Sequence, residues 1–268
     1  MERRGQVTIF IILGLFLSLI IATVILTNID LNQEKLDSEQ SDIQDSSQNI
    51  APIKLFVESC IEDVTNQAIL YIGKHGGYYN LPSESDDYLY LPYFFYISEN
   101  HLLSIEEIQN QLSLYVNSEL FFCTRDYSSF EKQGYHIQTG SITTTTTINQ
   151  DNINFDINYP ISINIEDTTQ ELSSFNIQTK SSLFVIYQVV EELLREQTED
   201  PKAICLSCVV ELAINNDLKV YAAFIENDQV LFRITDNITQ INNQDFEFSF
   251  INIYNFENEE VEEDESLE

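Results

Sequence analysis

Between Val7 and Thr27 the sequence runs through about 20 consecutive residues with no charge among them. At about 1.5 Å of rise per residue, a helix of that length reaches roughly 30 Å, the depth of a bilayer's hydrocarbon layer. Lipid offers no partner for backbone polar groups, so such a segment crosses only as a helix. Arg3 and Arg4 precede it, and Asp30 and Glu34 follow. Positive charge stays on the cytoplasmic side. The expectation is a single-pass protein of the cell membrane, with residues 1–5 a cytoplasmic basic leader, 6–27 the transmembrane helix and the remainder outside. The lipid bilayer is the first expected partner, reached through Val7–Thr27. The length of the run, and the lack of a small-x-small site after Leu26, favour a retained anchor over a cleaved secretory signal. Gly14, Ser18 and Ala22 stand at a small-xxx-small spacing that lets two such helices approach closely.

The opening Glu2-Arg3-Arg4-Gly5-Gln6-Val7-Thr8, followed at once by the apolar run, resembles the class III signal peptide of archaeal type IV pilin-like proteins. That resemblance covers about the first 27 residues. It implies a prepilin-type peptidase as a processing partner, cutting between Gly5 and Gln6. At Phe10, where many pilins carry a glutamate used in assembly, the sequence departs from the pattern. The opening also resembles that of membrane-anchored archaeal surface proteins of uncharacterised function.

Charge bounds the partners of the rest. The 268 residues hold 12 Lys+Arg against 44 Asp+Glu, a net of −32. Such a surface repels nucleic acid and anionic headgroups and favours basic protein partners or cations. Adaptation to salty surroundings gives the same composition. A hydrophobic fraction of 43% supplies a core. Four cysteines, Cys60, Cys123, Cys205 and Cys208, lie beyond the membrane run. In an oxidising exterior they are disulfide candidates. Four cysteines permit three pairings, and spacing alone does not choose. The favoured reading joins Cys60 to Cys123 over a long loop and Cys205 to Cys208 locally.

Residues 28–50 are rich in Asp, Glu, Ser, Gln and Asn without apolar periodicity, and read as a disordered acidic linker. An extracytoplasmic region over 51–256 follows, with a subdivision allowed near 140. It opens on a helical pattern, Val57, Cys60, Ile61, Val64, Ala68 and Ile72, with Pro52 in the first turn and Gly73 at the end. The aromatic stretch Tyr88–Ile97, broken by Pro92, reads as an edge strand or packed loop. Ser104 and Glu107 form a capping box that opens a second helix running into Cys123. Period two then takes over: a threonine run from Thr143 to Thr147, then alternating Ile153 to Tyr159, continuing past Pro160 to Ile165, with Phe175 and Ile177 on a third strand. A helix is expected over about 181–196. Another is expected to start at Asp200-Pro201, and a hairpin to run through Asn227-Asp228. A last strand covers 245–254. From residue 257 the chain is a disordered acidic tail. This order of elements predicts an α+β fold with antiparallel sheets.

No residue pattern here specifies catalysis. His75, His101 and His136 are scattered, and neither an HExxH, a GxSxG nor a Walker glycine loop occurs. No catalytic, cofactor or metal-ligating residue is assigned. Glu84, Asp86 and Asp87 offer carboxylates to calcium, but not at EF-hand spacing. Lys74-His75-Gly76-Gly77-Tyr78-Tyr79 reads equally as a pocket wall or as a helix-ending turn packed by tyrosines. Cys205-Leu206-Ser207-Cys208 at a helix N-terminus has the arrangement that lowers a thiol pKa, though a structural disulfide explains it better. Asn237-Ile238-Thr239 is an N-glycosylation acceptor pattern, expected on an exterior loop just past a strand. The expected function is a non-catalytic interaction or envelope role at the cell surface. The alternatives are a pilin-like filament subunit and an extracytoplasmic thiol-disulfide protein using Cys205 and Cys208.

Overall fold

The computed structural model describes residues 50–254 except 167, 202, 203, 205 and 227. The span Val7–Thr27, the Gly5–Gln6 junction and the acidic tail lie outside the described residues. Among the described residues no helix is long and apolar enough to cross a membrane. The chain divides into two compact units, Met1–Lys54 and Leu55–Glu268, and the second holds both sheets.

The first described element, α1, is helical over residues 50–74, so Ile50, assigned to the linker, already belongs to a helix. Val57, Cys60, Ile61, Val64, Ala68 and Ile72 are buried as their spacing requires. The helix stops where left-handed backbone begins, at Gly76 (φ 58°) and Gly77 (φ 89°). The Gly77 N–H donates back to the Ile72 carbonyl at 2.7 Å, which satisfies one of the orphan acceptors of the last turn. The second helix, α2 (Ile105–Thr124), begins at the expected capping box: Ser104 Oγ accepts from the Glu107 N–H, and the Glu107 carboxylate accepts from the Ser104 N–H. The two helices run antiparallel, since Cys60 meets Cys123, Tyr71 meets Tyr115 and Gly77 approaches Ile108.

Two sheets carry the strands. The six-stranded sheet has β1 (Ser85–Asp86), β2 (Leu91–Tyr96), β10 (Gln244–Ile253), β9 (Gln229–Ile241) and β8 (Lys219–Phe224) in that order, with β3 (Glu99–Asn100) also on β2. Two expectations are corrected here. β2 is an inner strand rather than an edge, because β10 takes one side and the short β1 and β3 take the other. Pro92 fits because it pairs only against the two-residue β1. Moreover β2 pairs with β10 in parallel, so this sheet is mixed. The coarse α+β class holds. The parallel pairing arises because the strand that closes the sheet comes from the far end of the sequence and is not bound by a hairpin.

β10 is buried on both faces, with Phe246, Phe248 and Phe250 on one and Ser249 and Ile251 on the other. Phe250 lies between Phe94 of β2 and Phe232 of β9, with ring centroids 4.7 and 5.3 Å away and planes inclined by 17° in both pairs. α1 ends against this strand. A methyl group on Gly73 would overlap the Glu247 carbonyl oxygen and lie 2.6 Å from the Phe246 ring. Gly73→Ala is therefore expected to destabilise by about 1–3 kcal/mol, despite alanine's better helix propensity of about 1 kcal/mol. A fall in the urea midpoint at unchanged m-value checks this.

The four-stranded sheet is antiparallel throughout. β6 (Asn152–Ile165) is its long inner strand, and β7 (Thr168–Lys180) lines one side of it. Along the other side lie β4 (His136–Thr139) and β5 (Thr143–Ile148), end to end. The odd-numbered β6 residues Ile153, Phe155, Ile157, Tyr159, Ile161 and Ile163 face inward and are buried. α2 packs on that inner face. Gln109 Oε1 accepts the Ile148 N–H, Ser113 Oγ meets Thr146 Oγ1 at 2.8 Å, and Thr124 Oγ1 meets the Tyr159 hydroxyl at 3.0 Å. Pro160 lies in a one-residue bulge, where the β6–β7 register shifts between Asn158 and Ile161.

The last helices are α4 (Leu183–Glu199), after the short α3 (Ser128–Glu131), and α5 (Leu206–Asn215). Asp200 is the C-cap of α4 and does not open α5, which corrects the expected start at Asp200-Pro201. Its backbone N–H bonds the Glu196 carbonyl, so the residue is held by the helix behind it. β8 and β9 form the expected hairpin; Asn227 of its turn lies outside the described residues.

Candidate functional site

The predicted residues fall into separate places. Cys60 and Cys123 form a disulfide, with Cα atoms 5.9 Å apart and a sequence separation of 63. It ties the early part of α1 to the end of α2. Cys208, in the first turns of α5, is also disulfide-bonded, whereas Cys205 lies outside the described residues. Among the described residues no cysteine is free.

The glycine-tyrosine loop after α1 is a packed junction. A Cβ on Gly76 would lie 2.6 Å from the Pro92 ring, and one on Gly77 would lie 3.1 Å from Ile108. The His75 ring stacks on Tyr71 at 4.0 Å, and its Nδ1 lies 2.8 Å from the Tyr71 carbonyl oxygen. Tyr71, Tyr79 and Tyr115 cluster with centroids 5.2 to 6.1 Å apart. The Tyr79 hydroxyl donates to Glu119 at 3.4 Å. Burial, then the Glu119 charge, push the Tyr115 phenol up to about 12. The cluster is thus a neutral, inward-packed seam that joins α1 to α2 below the disulfide.

Two of the three carboxylates considered for calcium, Glu84 and Asp86, have other partners. Asp86 accepts the backbone N–H groups of Tyr88 and Leu89 at 2.9 and 2.6 Å and shapes the β1–β2 turn. Glu84 accepts the Ser83 hydroxyl at 2.8 Å. Among the described residues no group of three or more His, Cys, Asp or Glu side chains is placed to hold a metal ion.

Asn237, expected just past a strand, lies inside β9, where the pairing with β10 jumps from Asp236↔Phe246 to Gln240↔Asp245 and leaves residues 237–239 outside the ladder. The buried Asp236 carboxylate organises this bulge by accepting the N–H groups of Ile238 at 2.8 Å and Thr239 at 3.2 Å. Burial opposes its ionisation, but those hydrogen bonds prevail and hold its pKa below the usual carboxylate value. Asn237 is exposed and Ile238 is 71% exposed, so the acceptor triplet projects from the sheet.

Sequence reasoning missed a cleft. β4 and β5 are one edge strand interrupted at residues 140–142, opposite the Pro160 bulge. The Gly140 N–H donates to the Pro160 carbonyl at 2.7 Å across the gap. Three cavities lie around it. One of about 290 Å³ is lined by Gln138, Ser162, Glu171 and Ser173 beside Pro160 and Leu172. A second, of about 320 Å³, is lined by Thr124, Arg125, Asp126, Tyr127 and Phe121. A third, of about 460 Å³, is lined by Asn117, Phe121, Ser141 and Ile142. Thr139 borders all three, and Phe121, 57% exposed, borders two. Asn117 Oδ1 is buried without a hydrogen-bond partner among the described residues. Burial pushes the Tyr127 phenol up, so it stays a neutral hydroxyl. Beyond the cleft the outer face of the sheet continues in cross-strand rows such as Thr145–Asp156–Asn176 and Thr147–Asn154–Gln178. Asn176 Nδ2 donates to Asp156 at 2.5 Å. The signal available in sequence was Pro160 within an alternating run, which points to a bulge, and Gly140 twenty residues before it. Matching the chain against known families, curated proteins and solved structures finds no similar one.

Proposed function

We propose that this chain is a membrane-anchored cell-surface protein whose exterior part makes non-catalytic contacts with an envelope component. The observation that carries the reading is the Cys60–Cys123 bond, with Cys208 bonded as well. Disulfides joining distant segments persist on the oxidising side of a membrane and are rare in reducing cytosol. The anchor is Val7–Thr27, oriented by Arg3 and Arg4. Asn237 fits the same placement: it is an exposed acceptor asparagine on a bulge, ready for an exterior glycan. The reading includes processing between Gly5 and Gln6 by a prepilin-type peptidase. The two bonded helices and the interrupted sheet edge supply a fixed surface for contact.

The test is topological. In cells expressing the full chain, protease added outside is expected to degrade the part beyond the anchor. A non-reducing gel is expected to show a faster band than a reducing gel. Glycan mass, where present, is expected to disappear in Asn237→Gln. Protection of the whole chain in intact cells, with all four thiols labelled by maleimide before any reduction, overturns the proposal.

A further inference from the structure

From the cleft at the interrupted strand edge we infer a binding site for an uncharged polysaccharide chain; this rests on the reading above only in that such polymers lie outside the cell. Three features carry it. The three cavities share Thr139 as a wall, and each is of a size with small-ligand sites, so a polymer running past that residue reaches more than one of them. Their walls mix amide and hydroxyl groups, Gln138, Ser162 and Asn117 among them, with charges of both signs (Glu171, Asp126, Glu131 and Arg125) and with Phe121 as an exposed aromatic platform. An apolar ring face matches Phe121 and the Pro160–Leu172 wall.

Charge and edge geometry exclude the competing ligands. A net of −32 repels anionic polymers. Against a cationic partner, the cleft holds the Arg125 guanidinium beside its carboxylates Glu171, Asp126 and Glu131, and most of the 44 Asp and Glu of the chain lie outside it. An extended peptide would need a continuous free strand edge for ladder hydrogen bonds. Here the edge is broken at residues 140–142, and the Ile148 N–H is already taken by Gln109.

The experiment is affinity electrophoresis of the full-length protein in detergent micelles, through native gels containing mannan, amylose, dextran or anionic alginate. At least one neutral polysaccharide is expected to retard the protein, and alginate is not. Phe121→Ala and Gln138→Ala each weaken the retardation about tenfold, as truncation of a central anchor does. Both side chains are exposed, so the denaturation midpoint stays unchanged and serves as the folding control. Retardation by none of the three neutral polymers overturns the inference. Equal retardation by alginate, or retention on denatured casein in their place, does the same. So does retardation that survives both substitutions. Because this assay is blind to orientation in the cell, its failure and failure of the protease test are read separately.

Discussion

Replacing Phe250 with alanine is expected to cost about 3–5 kcal/mol of folding stability, the range for losing a fully buried aromatic ring. The side chain is 0% exposed and lies between the Phe94 and Phe232 rings, with Phe248 at 6.4 Å. Its removal opens a cavity that three strands border. Those strands cannot collapse into it without breaking the β2–β10–β9 ladders. Two quantities add: the transfer free energy of the ring, and the dispersion attraction that Phe94 and Phe232 forfeit when it is gone. The effect compares with a total of about 5–15 kcal/mol for a typical domain. Urea titration followed by far-ultraviolet circular dichroism is expected to show the loss as a lower midpoint. Phe224→Ala provides the control. Phe224 is 61% exposed on edge strand β8, and its change should stay within about 0.5 kcal/mol. Equal losses at the two positions would contradict the assignment of the core to β10.

The alternation of Phe246, Phe248 and Phe250 is legible in the sequence, because period two with large apolar residues describes one buried face of a strand. Its neighbours are not. Nothing in residues 91–96 names residues 244–253 as a partner, since parallel pairing across the length of the unit leaves no turn signal. Hairpin pairs were legible for the opposite reason. β5–β6 and β8–β9 are joined by short turns rich in Asn and Asp, which fix register locally. The capping box of α2 was legible because both of its hydrogen bonds are formed within four residues. Asp200-Pro201 misled for the same local reason: the dipeptide resembles a helix start, but it ends α4, whose own carbonyl holds Asp200.

The site was less legible than the fold. A cleft exists only where β4 and β5, separated in sequence by three residues, share one side of β6 and fail to meet. Sequence shows Pro160 and Gly140 but not that they face each other across a strand gap. Phe121 reads as one more apolar residue of a helix. Only the packing of α2 on β5 shows that it is left outside the core. The Asn237 bulge was hidden in a similar way. Its triplet fits a loop, but it is a bulge within a long strand, held by the Asp236 carboxylate.

Loss of the Cys60–Cys123 bond, in a Cys60→Ala/Cys123→Ala variant, is expected to lower stability by about 4 kcal/mol on the chain-entropy account. The closed loop is long, with a sequence separation of 63 between the cysteines, and the unfolded chain regains its freedom when the bond is absent. Alanine replaces each sulfur without leaving a buried hydroxyl, so the measured difference reports the crosslink rather than a new polar group. Cys60 is 5% exposed. Reductant is therefore expected to act slowly on the folded protein and quickly above the unfolding midpoint, which alkylation after timed reduction followed by mass spectrometry reads directly. The bond also has a consequence for location. A domain with about 5–15 kcal/mol of stability in total tolerates a loss of about 4 kcal/mol only at the upper end of that range. The Tyr71–Tyr115 seam continues to hold α1 against α2 in the reduced protein, but it adds only about 0.5–1.5 kcal/mol beyond area burial. In a reducing compartment α1 and α2 should therefore loosen first at their Cys60 and Cys123 ends. Hydrogen exchange on reduced and oxidised protein is expected to show faster exchange near residues 57–64 and 120–124 and little change in β10. Uniform acceleration across both sheets would mean that the bond acts on the whole fold and that the helices carry no separate share of its effect.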